Sequence, residues 1–219
     1  MAYNIPNGSR VFVGSKLSEE VKITAATNAE QAVLTIDGEL TLEEGDVVMI
    51  ESGWKKMSGV FKVAAFSAKS VTLKEVDTTD KGVFPVGAGA GTLKKVEEWA
   101  PMPQVMTLST EGGEQQTQDI QFLEDERAET IDTFKSSITQ VYTFAHDAKQ
   151  EIRKLLIKLD DSKALAAIRF YNKRANEERF YMASVSFQRV PNTAINEVEN
   201  VVARFSLKSE MQIYTGENK

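Results

Sequence analysis

Apolar and polar residues alternate over much of this chain, a pattern that predicts short β-strands far more often than helix. Six β-rich runs fall within residues 20–98: Val21 to Ala26, Gln31 to Ile36, Asp46 to Glu51, Val60 to Phe66, Ser70 to Val76 and Thr92 to Val96. Turn signals such as Asp37-Gly38 and Gly45-Asp46 separate them. In the run from Ser70, Val71 and Leu73 face away from Thr72 and Lys74, as successive strand residues do. No helical period crosses this stretch, so a small antiparallel barrel or sandwich is expected.

The following stretch has longer elements. Gln104 to Ser109 and Gln118 to Leu123 alternate, with Met106, Leu108, Ile120 and Phe122 on one parity, and Glu111-Gly-Gly-Glu114 between them predicts a hairpin turn. Ser136 to Ala145 is a further β-rich run. A single helix follows, with Asp147 as its expected N-cap and Gln150 as the far half of a capping box. Ile152, Leu155, Leu156 and Leu159 form its apolar stripe, and Asp160-Asp161-Ser162 ends it. Ala164 to Tyr171 and Glu178 to Val190 are then joined by a polar turn.

The last run, Val198 to Tyr214, stands out for its length. Val201, Ala203, Phe205, Leu207, Met211 and Ile213 line one face; Arg204, Ser206, Lys208, Glu210 and Gln212 line the other. At ~3.3 Å per residue it would span roughly 50 Å, whereas ordinary strands have about 5 or 6 residues. Such a strand is either bent or bulged, or it reaches out to a neighbouring subunit.

Glycine usage sharpens the division. Ten of the 13 glycines precede residue 99 and none lies between Glu114 and Thr215, which places a boundary near Trp99-Ala-Pro-Met-Pro103. Two prolines one residue apart predict a stiff, extended junction there. A hydrophobic content of 42% with 26% charged residues is that of a folded globular protein. The net charge of −6, with no basic run longer than pairs such as Lys55-Lys56, argues against a protein that grips phosphates. No stretch approaches the ~20 apolar residues of a membrane-spanning helix. The start, Met1 to Arg10, lacks the pattern of a secretory leader. With no cysteine there is no disulfide framework or thiolate zinc site, and synthesis in a cytosol is expected.

Candidate chemistry is sparse. His146 is the only histidine and has no cysteine or second histidine to act with. Gly87-Ala-Gly-Ala-Gly91 leads into Thr-Leu-Lys-Lys-Val rather than the helix that a phosphate-cradling loop needs, so it reads as a flexible loop. Glu43-Glu44-Asp46 and Glu124-Asp125-Glu126 lack the spacing that wraps a calcium ion. No catalytic residue, cofactor site or metal site is assigned.

The order of elements carries a resemblance. Phe122-Leu-Glu-Asp-Glu-Arg-Ala-Glu129, a β-run, one amphipathic helix, a hairpin and a long terminal strand together resemble the tail tube proteins of lambda-type siphophages, over residues 8–17 and 100–216. Residues 21–98, through Ile23-Thr-Ala-Ala-Thr-Asn28, Leu40-Thr-Leu-Glu-Glu-Gly-Asp-Val-Val48, Ser58-Gly59 and Ser70-Val-Thr-Leu73, resemble a small β module that recurs in phage tail proteins. The resemblance implies a mainly β chain: an antiparallel β-sandwich tail tube domain with one flanking helix, built from residues 1–19 and 99–219, and an inserted barrel-like module at 20–98. Removing that module is expected to leave the tube intact.

The resemblance further implies a structural virion protein that stacks as hexameric rings into a hollow tail tube for genome delivery. Its implied partners are itself, the tape measure, terminator and distal tail proteins, and DNA that passes without specific binding. Leu123, Glu124, Asp125, Glu126, Arg127 and Glu129 match the loop that makes ring-to-ring contacts. Arg204, Ser206, Lys208, Glu210 and Gln212 mark a strand that faces the lumen or pairs with a neighbour. The alternatives are a non-polymerising β-sandwich binding or adhesion module, for which Trp54 and Trp99 are the aromatic candidates, and another tail component such as a terminator.

Overall fold

In chain order the computed structural model contains β1 (Arg10–Leu17), β2 (Val21–Ala26), β3 (Val33–Asp37), β4 (Val47–Ser52), β5 (Gly59–Ser67), β6 (Ser70–Leu73), β7 (Gly91–Met102), β8 (Val105–Glu111), β9 (Gln115–Ile120), β10 (Glu129–Lys135) and β11 (Thr139–Ala145). The helix α1 (Glu151–Ser162) follows, then β12 (Leu165–Asn172), β13 (Glu177–Phe187), β14 (Asn200–Leu207) and β15 (Gln212–Thr215). The structure describes residues 6–216. Residues 1–5, part of the start on which the leader reading rests, and 217–219 lie outside the described residues.

The six runs of the first stretch close on themselves. β2 pairs β3, β3 pairs β6, β6 pairs β5, β5 pairs β4, β4 pairs β7, and β7 returns to β2, all antiparallel. Closure removes every edge from this six-stranded barrel. Ile23, Leu34, Ile36, Val48, Ile50, Phe61, Val63, Val71, Leu73 and Leu93 fill it. The loop between β6 and β7 caps one end. There Phe84 meets the Trp54 ring edge-on at 5.3 Å, and the Trp54 indole N–H donates to the Pro85 carbonyl at 2.8 Å.

The expected junction at Trp99 to Pro103 is not a linker. β7 runs unbroken from the barrel to Met102, pairing β2 and β4 with its first half and β1 with its second. Pro101 sits near the end of the strand opposite Phe12 and Pro103 just beyond it, where β1 is the described partner and little ladder pairing is interrupted.

From β7 a second sheet continues in the order β7-β1-β12-β13-β14-β11-β8. Only Pro103 and Gln104 separate β7 at one edge from β8 at the other, so the sheet must curl until its edges approach. Tyr142, Phe144, Ile168, Tyr181, Ala183, Val185, Phe187, Val201 and Phe205 fill the concave side. Helix α1 covers them with the fully buried Ile152 and Leu156, while Leu155 and Leu159 pack at the margin. The helix begins later than its sequence suggests. Gln150 is the residue before its first turn and makes no side-chain cap, while Asp147 accepts the Lys149 N–H at 2.9 Å in the preceding turn.

Two local expectations are overturned. Glu111-Gly-Gly-Glu114 is not a hairpin turn, because β9 pairs β10 and β8 pairs β11. Glu111 faces Thr139 and Gln115 faces Lys135, so β8–β9 and β10–β11 are two legs of one long hairpin. Gly112 and Gly113, at φ +80 and +84, kink one leg, as only glycine does without strain.

The long terminal run is bulged. β14 pairs Ala183 to Phe187 of β13, and β15 pairs Glu177 to Phe180 of the same strand. Lys208 to Met211 therefore span only two residues of β13, and the Ser209 hydroxyl accepts the Met182 N–H at 2.9 Å. Beyond the bulge the dry face changes. Tyr214 is buried while Ile213 is 50% exposed, because this end of the sheet lies against the barrel.

The barrel docks there through its outer surface. Val47, Met49 and Val60 pack on Val96, Ala167, Phe180, Met182 and Tyr214. Within this layer Lys62 pairs with Glu178, which also binds Arg169. The Lys62 ammonium lies 5.7 and 5.4 Å from the Phe180 and Tyr214 ring centroids.

Candidate functional site

Past the glycine kink the long hairpin leaves the body of the molecule. Among the described residues only β9 and β10 pair between Gln115 and Lys135, so each has one ladder and one open edge. Every residue of β10 is exposed, including Ile131 and Phe134, the latter at 67%. Nearer the body, β8 ends the large sheet with its outer edge open and Met106 and Leu108 in solvent. Two strands without a covering layer are marginally stable in water, and open edges invite pairing.

The kink is sterically fixed. A Cβ on Gly112 would lie 2.0 Å from the Ser137 carbonyl oxygen. Across it Ser136 N–H donates to Glu114 O at 2.9 Å, and Glu114 N–H donates to the Ser136 hydroxyl at 3.0 Å. Ile131, Phe134 and the two-glycine kink were missed in the sequence. The pairing reveals the kink: Glu111 lies opposite Thr139 and Gln115 opposite Lys135, so one ladder continues through the two glycines.

The acidic loop is the tip of this arm. Asp125 closes it: its N–H donates to Phe122 O at 3.0 Å, and its carboxylate accepts the Phe122 N–H at 3.2 Å. Gln121 and Thr130 brace the two sides, through Asp125 O at 3.1 Å and the Asp119 carboxylate at 2.7 Å. Leu123, Glu124, Asp125, Glu126, Arg127 and Glu129 are all exposed. Leu123 stands fully in solvent beside Phe122, itself 66% exposed. The tip thus presents two apolar side chains among four acids and one arginine.

The other candidate set divides at the bulge. Arg204 and Ser206 lie on the sheet face opposite the core. Arg204 stands beside Val141 and Ser186, and Ser206 beside Thr139 and Ser184. Ser109 and Glu111 of β8 extend the same two rows. This face is rich in hydroxyls; the Thr139 and Ser206 hydroxyls lie 3.1 Å apart. Both edges of β14 are taken, by β11 and β13, so the strand has no edge for a neighbour. Lys208 and Glu210 are exposed on the bulge, and Gln212 begins β15.

Beneath the opposite face, Gln140, Tyr142 and Tyr181 form a buried polar cluster. Both phenols donate to the Gln140 side-chain oxygen, at 2.8 and 2.7 Å, and lie 3.0 Å from each other. Burial pushes the Tyr142 hydroxyl up to about 12 and raises Tyr181 well above its ordinary value. The cluster is a satisfied core network rather than acid–base machinery.

The remaining chemical candidates settle into structural places. His146 N–H donates to Glu199 O at 2.7 Å in the connection to α1. Gly89 and Gly91 lie where a Cβ would strike Ala26 and Trp54 or the Glu51 carbonyl. Asp46 accepts the Glu43 N–H at 2.8 Å and Lys95 Nζ at 2.6 Å, which makes the first acidic cluster a turn flank. Among the described residues no three metal-ligating side chains converge. Trp54 is only 1% exposed, and Trp99 packs beside Phe180 at 6.2 Å, so neither offers an aromatic platform.

A family model described as phage tail tube protein matches residues 52–216, well over half of the chain. It spans the arm, the tip, the curled sheet apart from β1, and the latter part of the barrel. No match is found among curated proteins.

Proposed function

This chain belongs to the phage tail tube protein family, a family of structural components rather than enzymes, and from that premise we propose that it closes into hexameric rings which stack as a hollow conduit for the genome. As a tail tube component it belongs to the virion tail and assembles with itself and with other tail proteins. The finer reading has the subunit made and assembled in the host cytoplasm. Its rings meet the tape measure, terminator and distal tail proteins in the finished tail.

The arm is the observation that carries this reading. Two strands with open edges, no core of their own and the exposed side chains of Ile131 and Phe134 are incomplete in one copy. Pairing with the arms and β8 edges of neighbours satisfies both backbone and side chains, as barrel closure does. The hydroxyl-rich face bearing Arg204 and Ser206 is then suited to the lumen. It offers mostly short hydroxyl side chains, with Glu111 on the same face as Arg204, so a phosphate backbone finds few lasting contacts. Lys208 and Glu210 lie on the bulge and Gln212 just past it, outside that run of β14. The tip residues Leu123 to Glu129 make the contact to the next ring.

In this scheme residues 1–19 and 99–219 are one discontinuous tube domain, and the barrel is an insertion. β1 leads into the barrel and β7 leads out as antiparallel neighbours, the arrangement of a hairpin whose turn has been replaced by a module.

Negative-stain microscopy of the purified chain tests the proposal. Rings or tubes of uniform diameter with a central channel are expected. A variant with residues 113–135 replaced by a two-residue turn should remain folded and monomeric. An intact chain that stays monomeric at high concentration would overturn the reading. Single rings that never stack would favour a terminator.

A further inference from the structure

The bulge, the root of the arm and the barrel enclose a groove of about 810 Å³ that the tube reading leaves unassigned. Its apolar lining is Ile138, Leu207 and Met211. Lys55 and Lys56 reach it from the barrel, and Lys208 and Arg179 from the sheet. Glu210 is the acid among the lining residues, 4.0 Å from Lys56, and Arg179 is paired with Glu177. Cations therefore outnumber acids around an apolar floor.

The arm tip carries the opposite pattern on a matching scale. Phe122 and Leu123 project among Glu124, Asp125, Glu126 and Glu129, with Arg127 as the one cation. The tip's own turn, held by Asp125, keeps both apolar side chains in solvent. Tip and groove lie at opposite ends of the same arm, since Ser136 and Ile138 at its root line the groove. Nine or ten residues of extended chain separate them, roughly 30 Å at ~3.3 Å per residue. A copy cannot fold its arm back into its own groove without dismantling the arm's ladder.

We infer that this groove receives the arm tip of a second copy of the chain, with Phe122 and Leu123 on the apolar floor and the tip acids against Lys55, Lys56 and Lys208. The inference rests on the tube reading and deepens it. A contact between two different patches is heterologous, and when it does not close it propagates as a filament. Repeated along the arm direction it stacks rings head to tail. The barrel, which supplies Lys55 and Lys56, then takes part in stacking instead of decorating the surface.

Because the chain has no cysteine, one disulfide reports the contact directly. In the full-length protein carrying Leu123→Cys with Met211→Cys, mild oxidation should give a ladder of covalent oligomers on a denaturing gel, with each single variant giving none. A covalent dimer from L123C alone would indicate tip-to-tip contact and overturn the assignment, as would no ladder from the assembled double variant. Charge exchange provides a second measure. Lys55→Glu with Lys56→Glu, or Glu124→Lys with Glu126→Lys, should cut sedimentable tube at least tenfold while leaving ring-sized particles, and combining them should restore it. Unchanged tubes in either charge variant refute the groove. Wild-type protein that forms no rings refutes the tube reading itself, so the two failures are distinguishable.

Discussion

The barrel and the arm are built from the same kind of alternating strand, yet they end in opposite states. Six strands of the barrel close, so no edge is left, and Leu34, Ile50, Phe61 and Leu73 lie wholly inside. The two strands of the arm keep two open edges, and Ile131 and Phe134 remain in water. The chemistry of the residues does not separate the two. Closure does: a strand set is complete when its last strand meets its first, and the arm is complete only when other copies supply the missing strands. Barrel changes should therefore be read in the stability of one chain, and arm changes in assembly.

The largest effect expected is from excision of the barrel, and it revises the idea that the module is dispensable. Removing residues 21–91 would uncover Phe180, Met182 and Tyr214. At ~1.5–3 kcal/mol per large buried apolar side chain, that loss is on the order of 5–9 kcal/mol, similar to a domain's whole stability of ~5–15 kcal/mol. Aggregated protein or a non-cooperative melt in circular dichroism is expected. A soluble excision variant with a sharp transition would show that the barrel does not support the sheet.

Next comes the charge layer at that seam. Glu178→Ala takes a carboxylate from beside the buried Lys62 ammonium and from Arg169, and breaking a buried pair this way costs ~3–5 kcal/mol. Combining Lys62→Met with Glu178→Leu should recover most of it in urea unfolding, since an apolar pair of similar volume fits such a site. Equal losses in the single and double variants would mean that the seam depends on the charges themselves.

Alkaline titration gives a smaller, graded effect. Tyr142 and Tyr214 are raised to about 12, chiefly because burial penalises the phenolate. The folded chain then holds protons that the unfolded chain releases from pH ~10 upward, so stability is intact below pH ~10 and falls as pH rises through about 12. Each tyrosine accounts for up to ~1.4 kcal/mol per pH unit in that window. Tyr142→Phe should flatten the pH dependence of unfolding, whereas arm variants should leave it unchanged.

Most of the barrel was legible in the sequence because five of its six strands are short, local and bounded by turns; β7 alone runs on into the second sheet. The tip was legible too, as a run of acids after Phe122. What the pattern hid depends on partners distant in sequence. Gly112-Gly113 looks like a turn because two glycines suit one, and only the pairing of Gln115 with Lys135 shows that the chain continues. Tyr214 looked polar-facing because the alternation of β14 was extended across a bulge, onto a stretch whose other face the barrel covers. The Lys62–Glu178 pair joins residues more than a hundred positions apart, and neither residue type announces burial.

Gly112→Ala divides the two regions with one methyl group. The residue sits at φ +80, and a Cβ would meet the Ser137 carbonyl at 2.0 Å, so the kink must open. The local cost is more than ~1 kcal/mol, but it falls beyond the last buried layer of the sheet, and so the cooperative melt of the barrel and sheet should be kept. The arm's direction is what changes, and loss of rings with an intact melt is the expected result. Rings from this variant would mean that assembly tolerates any arm direction.

The smallest effect on the single chain belongs to Ile131→Ser with Phe134→Ser. Both side chains are already exposed, and surface substitutions of this kind shift folding stability by about 0.5 kcal/mol or less. If neighbouring arms bury them, each side chain contributes ~1.5–3 kcal/mol per copy to association. Since ~1.4 kcal/mol is tenfold in an equilibrium constant, the concentration needed for ring formation should rise by at least an order of magnitude for each residue. Sedimentation velocity across a dilution series measures that threshold beside an unchanged melt. An unchanged threshold would mean that these side chains stay in water in the assembly, and the arm would then be joined through its backbone edges alone.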